Sequence, residues 1–305
     1  MALPQIHGEF ADLAARLSGR TLHVPNLKMI FSGWPAGTNA RLGDLRNEID
    51  GRMLGSGISD PNRVQKYKRA DFGLLTSVWF PDVNQWTGPR FILFLVPSQK
   101  KYLTTKLPPS LAQRELVYRE FELYMLQVSI ESNRRQDGRI PTPEEYMRTR
   151  FGTSAVTTLI SFIDYMNGIT LPQWVMESKE MEVIWNETCT LCYVVNDIYS
   201  FKEELDDGAL QNLIPVIFHA NGTGDLEDTM RDILQMAHTS REAFDKASDS
   251  LLNHAEGDKQ LNKDIGLYSN TCRTFVTGLM HWSLESKRYG LRQYKREDTS
   301  LIIPL

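Results

Sequence analysis

Apolar positions along this chain recur mostly at three- and four-residue steps, the spacing that gathers one face of an α-helix. From Arg63 to Phe80 the spacing predicts one helix, stopped at Pro81, because proline has no backbone donor and disfavours helical backbone just before it. Leu111 to Ile130 is amphipathic and rich in helix formers. Pro141-Thr142-Pro143-Glu144-Glu145 opens another helix through Ile163 or beyond, with proline where a donor is unpaired anyway and acids at the positive end of the dipole. Pro172 begins the next. Glu180 to Leu205 contains neither glycine nor proline and is crowded with apolar residues, which predicts a buried central helix. Beyond the Asp206-Asp207-Gly208 break the pattern predicts helices near Asn212 to His219, from about Leu226 to Leu252 and from about Lys259 to Tyr289. Residues 1 to about 60 mix short helical stretches with turn signals such as Ser32-Gly33-Trp34-Pro35. No sustained alternation marks a β-strand, and no repeat or linker divides the chain. The expectation is an all-α, single-domain helical bundle, with residues 1–60 as a segment packed on a helical domain of residues 61–305.

Of 305 residues, 41% are apolar and 24% charged, enough for a sizeable core and unlike a disordered chain. A net charge of -4 gives no general attraction to nucleic acid or an anionic membrane, despite the local basic cluster Lys66, Lys68 and Arg69. The longest apolar run, Phe91 to Val96, ends at Pro97, far short of the ~20 residues a span requires. Met1 to Phe10 lacks the basic-then-apolar layout of a secretory signal. Three cysteines, Cys189, Cys192 and Cys272, are too few for a disulfide framework and favour a reducing compartment. A cytoplasmic protein without membrane span or nucleic-acid partner is expected. Cys189 and Cys192 spell C-x-x-C, but inside a predicted helix and without histidines at partner spacing they read as core thiols rather than zinc ligands. Neither H-E-x-x-H nor a glycine-rich nucleotide loop is present.

Candidate chemistry lies on the central helix. Residues four and eight apart are rotated by about 40° and 80°, so Asn196, Ser200 and Glu204 share one face. An amide, a hydroxyl and a carboxylate in a row suit a hard cation such as Mg²⁺, which takes its remaining ligands from water and phosphate oxygens. The apolar residues just before them, Cys189, Leu191, Cys192, Tyr193, Val194 and Val195, argue that this polar face enters a core rather than solvent.

With Asp197 included, the segment reads N-D-x-x-S-x-x-x-E and resembles the second metal motif of the class I terpene synthases, of the microbial sesquiterpene cyclase type. Two further segments carry the resemblance. Trp282 precedes Arg288-Tyr289, similar to the family's arginine-tyrosine pair, and Tyr146 to Ser154 resembles the segment of the diphosphate-sensing arginine, which falls on Arg150. From about residue 60 to 290, the resemblance implies the class I terpenoid synthase bundle and a carbon-oxygen lyase acting on phosphates. It implies that Asn196, Ser200 and Glu204 bind Mg²⁺, and that Arg150, Arg288 and Tyr289 hold the diphosphate of an isoprenoid substrate, with Thr153 and Ser154 at the bend linking the sensor to the reacting carbon. Farnesyl diphosphate, closed to a sesquiterpene by a monomer or homodimer, is the expected substrate. Phe72, Trp79, Phe162, Phe275 and Trp282 are candidate aromatic faces for a carbocation, although each alone reads more readily as simple core.

One landmark is missing. Counting from Pro81, the family's first, aspartate-rich motif belongs near residues 97–101, where the chain reads Pro97-Ser98-Gln99-Lys100-Lys101 with no acid. The stretch Ser98 to Thr149 is also shorter than the family's usual spacing before Arg150. Either this is a divergent enzyme that holds its metals differently, or residues about 88–110 come from an altered reading of the gene; Tyr102 to Ser110 reads as unstructured. In addition, Glu203 stands where the family has a lysine, with Lys202 about 100° away around the helix. The alternative function is a degenerate, non-catalytic or inactive homologue. A chain-elongating prenyltransferase would need two aspartate-rich motifs, and the sequence has neither.

Overall fold

A computed structural model describes residues 8–54, 60–83, 111–136, 139–222 and 224–305. In chain order the elements are α1 (Glu9–Leu17), β1 (Thr21–Val24), α2 (Leu42–Leu54), α3 (Pro61–Ala70), α4 (Phe72–Trp79), α5 (Leu111–Gln136), α6 (Pro143–Thr153), α7 (Val156–Ile160) and α8 (Ile163–Asn167). They continue with α9 (Gln173–Met176), α10 (Lys179–Asp206), α11 (Leu213–Asn221), α12 (Leu226–His254), α13 (Lys259–Glu285) and β2 (Leu301–Pro304). The architecture is all-α, with one two-stranded pair. The stretch near residues 97–101, where the resemblance places an aspartate-rich motif, lies outside the described residues, as does Tyr102 to Ser110.

Helix α10 is the axis of the bundle, packed between α12 and α13. Its start is set by Ser178, whose side chain accepts from the Met181 N–H, with Glu180 and Glu182 in the first turn. Asp225 and Asp258 cap α12 and α13 in the same way. A reciprocal pair, Thr142 with Glu145, opens α6. Cys189, Cys192 and Cys272 are unpaired and buried in the core. On α13, Gly278 allows close approach to α4: a Cβ there would stand 2.7 Å from the Val78 carbonyl oxygen.

Three expectations are corrected. The single helix over Arg63 to Phe80 is two, because Asp71 takes a left-handed φ of 46° between them. There the Asp71 carboxylate accepts from the Leu74 N–H and is gripped by Arg46 of α2, its Nη2 2.6 Å from Oδ2. The helix opening at Pro141 does not run on to Ile163. It ends at Thr153, where the Ser154 hydroxyl bonds back to the Phe151 carbonyl and Ala155 turns left-handed at φ 59° before α7. The last helix stops at Glu285, with Ser286 extended as its cap, so Arg288 and Tyr289 lie beyond it. The antiparallel pair Thr21–Val24 with Leu301–Pro304 left no alternation long enough to read in four residues each.

The N-terminal residues contact the helices at defined points. Trp34 Nε1 donates to Asp245 of α12 at 3.0 Å, Thr277 of α13 donates to the Pro35 carbonyl at 2.7 Å, and the Asn39 N–H donates to Ser77 Oγ at 2.9 Å. Among the described residues no helix is long and apolar enough to cross a membrane.

Candidate active site

The site forms where α6, the second half of α10, the start of α11 and the segment after α13 converge. At its centre is Asp197, 1% exposed. Arg150 Nε and Nη2 donate to its Oδ1 at 3.0 and 2.9 Å, while the Tyr146 hydroxyl and the Leu213 N–H, the latter at 3.2 Å, donate to Oδ2. Leu213 is the first residue of α11, so the carboxylate also satisfies a helix-end donor and lies at the positive end of that dipole. A buried carboxylate is tolerable only when paired and hydrogen-bonded in this way.

Burial works against the Arg150 charge, yet Asp197 beside it holds the guanidinium above its ordinary value. Burial, with the Asp197 charge added, raises the Tyr146 phenol well above its usual range. Arg150 is thus a fixed cation and Tyr146 a fixed neutral donor. Nη1 of Arg150 makes no hydrogen bond among the described residues.

The same guanidinium reaches the metal-motif face: Nη2 donates to Asn196 Oδ1 at 2.6 Å, and Asn196 Nδ2 donates to the Tyr289 hydroxyl at 2.9 Å. Tyr289 is buried, packed edge-on against Trp282 at 5.7 Å, with the Arg288 guanidinium carbon 5.6 Å from its ring centre. Arg150, Asn196 and Tyr289 therefore form one hydrogen-bonded chain, with Arg288 beside it. Two turns along α10, Glu204 Oε2 accepts from Asn212 Nδ2 at 2.9 Å. Burial and then the Asp197 charge raise the Glu204 carboxyl, against Asn212, Arg150 and Ser200, which favour its charged form. Ser200 Oγ is buried and makes no hydrogen bond of acceptable geometry, although it lies close enough to Glu204 to act on it.

These observations test the metal set. An orphaned hydroxyl and a carboxyl unsettled by burial lie on one helix face, and an oxygen-seeking divalent cation would satisfy both. Asn196 Oδ1 accepts one bond from Arg150 and has a second lone pair. The residues fit a hard cation. Lys202 is engaged with Asp206 at 2.6 Å.

Thr153 and Ser154 stand at the turn that ends α6; Thr153 shares with Arg150, Tyr146 and Thr149 the wall of a partly open cleft, and its hydroxyl is buried without a partner. Among the aromatic candidates, Trp79 Nε1 donates to the Phe275 carbonyl at 3.1 Å and Trp282 Nε1 to the Ala70 carbonyl at 2.5 Å. Phe72 stacks on Trp282 at 6.4 Å. Sequence reasoning assigned no role to Asp197, Tyr146 or Asn212. Asn212 was detectable: its Oδ1 accepts from the Ile214 N–H, the N-cap expected of an asparagine before an apolar run. Its second task, donating to the Asp197 carbonyl at 2.8 Å and to Glu204, has no sequence signal.

Comparison with known proteins adds likenesses in sequence and in fold. Residues 103–243 match the family model described as terpene synthase family 2, C-terminal metal binding. The sesquiterpene cyclase hepA of Aspergillus oryzae is 23% identical over 347 residues, covering 93% of each chain. Terpene cyclase 4 of Gibberella fujikuroi is 31% identical over 149 residues, 49% of this chain and 40% of that protein. The linalool/nerolidol synthase of Streptomyces clavuligerus superposes with a TM-score of 0.71 and 14% identity, over 82% of this chain and 98% of that one. The chain is thus similar to terpene cyclases in sequence and shares the fold of class I terpene synthases. An α-eudesmol synthase shares the same all-α fold at a TM-score of 0.69, 14% identity and coverage of 83% and 97%. The matched family model takes its name from a metal-binding region, and residues 103–243 include Asn196, Ser200 and Glu204. The alignment with hepA runs over more positions than the 305 residues present, so hepA contains stretches that this chain lacks.

Proposed function

We propose that this chain is a terpene cyclase that ionises an allylic isoprenoid diphosphate, farnesyl diphosphate, with Mg²⁺ and closes the carbocation to a sesquiterpene, releasing diphosphate. The observation that carries the proposal is the hydrogen-bonded chain from Arg150 through Asn196 to Tyr289, which joins three separate segments around one polar face.

Arg150, anchored through Nε and Nη2, has Nη1 left to meet a diphosphate oxygen, and its charge does not have to be reorganised when the leaving group departs. Arg288 and the Tyr289 hydroxyl, which accepts from Asn196 and so retains its own proton to donate, hold the same headgroup. When the allylic carbon-oxygen bond breaks, its electron pair leaves with the diphosphate, and the guanidinium groups stabilise the departing charge. Mg²⁺ on Asn196, Ser200 and Glu204 would supply further Lewis-acid stabilisation of that diphosphate. Thr153 and Ser154, at the turn after α6, connect the Arg150 end of that helix to the start of α7. The three buried, unpaired cysteines support a cytoplasmic setting, and the proposed protein acts as a monomer or homodimer.

A second reading is a non-catalytic homologue, favoured by the absence of acid from residues 97–101. One assay separates the two. Incubation with Mg²⁺ and ten-, fifteen- and twenty-carbon diphosphates is expected to give a volatile product from the fifteen-carbon substrate; no product from any, with the protein folded, leaves only the second reading. Replacing both Asn196 and Glu204 with alanine should abolish turnover at unchanged helical content, and unaltered activity would remove them from the site.

A further inference from the structure

Helix α3 has basic side chains at three-residue steps, Arg63, Lys66 and Arg69, and such spacing aligns them along one stripe. The end of this helix is fastened to the segment that holds Arg288 and Tyr289. Arg69 Nε donates to the Lys287 carbonyl at 3.2 Å, and Trp282, whose ring supports Tyr289, donates to the Ala70 carbonyl next door. At the other end of the stripe, Lys66 Nζ lies 3.9 Å from the Asp207 carboxylate, just past the end of α10 and three residues beyond Glu204. The stripe therefore runs between the two segments from which the headgroup ligands come.

Arg63 and Lys66 each face one carboxylate at 3.9 Å, of Asp60 and Asp207, whereas Arg69 forms no ion pair among the described residues. Arg69 is tied to the backbone of Lys287, the residue before Arg288, and none of the three forms an ion pair with a carboxylate among the described residues. Only Nε of Arg69 is used, so both Nη groups are left to donate. Interaction with the α3 dipole would account for basic residues in its last turn. It would not account for a guanidinium turned onto the backbone of the residue beside Arg288. Three basic residues brought to one short stretch without an ion-paired carboxylate offer complementary charge to a ligand bearing several negative charges.

We propose that Arg69 is a further diphosphate-binding residue, meeting headgroup oxygens alongside Arg288, with Lys66 extending the cationic rim toward the end of α10. The inference rests on the diphosphate reading of the site proposed above. It is tested by calorimetric titration of the full chain with inorganic diphosphate in the presence of Mg²⁺, comparing wild type with Arg69→Gln, Arg69→Lys and, as a control on the far end of α13, Lys259→Gln. Arg69→Gln should bind about five- to tenfold more weakly, Arg69→Lys should fall between because it keeps the charge and loses the fork, and Lys259→Gln should match wild type. The gap between wild type and Arg69→Gln should narrow at high salt. If wild type binds diphosphate and Arg69→Gln binds it equally well, or if Lys259→Gln loses as much, the inference is overturned and the site reading stands. If wild type binds no diphosphate, both fall. Should Arg69→Gln fail to fold, Arg69→Lys with a native melting temperature decides: undiminished binding overturns the proposal, and weakened binding supports it.

Discussion

Asp197 and Ser200 stand nearly one turn apart on α10 and are both buried, yet their polar atoms are treated in opposite ways. Asp197 receives four donors and Ser200 Oγ is left with none of good geometry. A hydroxyl that satisfies nothing contributes little to folding, so Ser200→Ala should keep stability within about 0.5 kcal/mol of wild type in a thermal melt, while Mg²⁺ affinity measured by titration falls. A large loss of stability, or unchanged metal affinity, would mark Ser200 as structural. Asp164 offers a separate test in pH. Burial pushes its carboxyl from 3.8 up to about 6, against hydrogen bonds from Gln113 and Leu171 that pull it down. Because the folded value lies above the unfolded one, the folded state holds the proton longer. The stability this residue contributes is complete below pH 3.8 and is lost as pH rises through about 6. Asp164→Asn should therefore be the more stable protein at pH 7, by up to about 3 kcal/mol, with the difference vanishing toward pH 4; denaturation profiles that stay parallel over this range would contradict that account.

At the scale of elements, α4 and α13 meet at backbone distance, and the device that permits it is Gly278. A methyl group there would stand 2.7 Å from the Val78 carbonyl oxygen, an atom on a helix backbone that cannot swing aside. Gly278→Ala should cost about 1–3 kcal/mol in chemical denaturation, although alanine is the better helix former in isolation. The same contrast between local preference and tertiary demand explains the helix that sequence joined. Arg63 to Phe80 has apolar spacing throughout, and what divides it is Arg46, 25 residues before Asp71 and on another helix. Periodicity sees the run; it cannot see the distant guanidinium that fixes Asp71 in a left-handed turn. At Ala155 the break again lies inside an unbroken pattern, next to a serine whose hydroxyl bonds to the backbone instead of to solvent.

For the whole molecule, the strand pair joins segments from near both ends of the sequence, with Leu22 and Val24 of one strand and Leu301 and Ile303 of the other nearly inaccessible to solvent. Removing residues 301–305 should cost about 3–6 kcal/mol from the burial of Leu301 and Ile303, read as a lower midpoint in urea; an unchanged midpoint would show that the pair only decorates the bundle. By itself, the sequence determined where most of the long helices run and that Asn196, Ser200 and Glu204 occupy one face of α10, since both follow from a period of 3.6 residues acting within a few turns. The resemblance of short motifs also named Arg150 and Tyr289, without their partners. Only the tertiary structure decided that Arg150 is held by Asp197, 47 residues on, that Tyr289 meets Asn196 across 93 residues, and that Asn212 ties Glu204 to the start of α11. The reason is physical: the cost of a buried charge or an unpaired donor depends on what surrounds it, and those surroundings are assembled by packing segments that no local pattern connects.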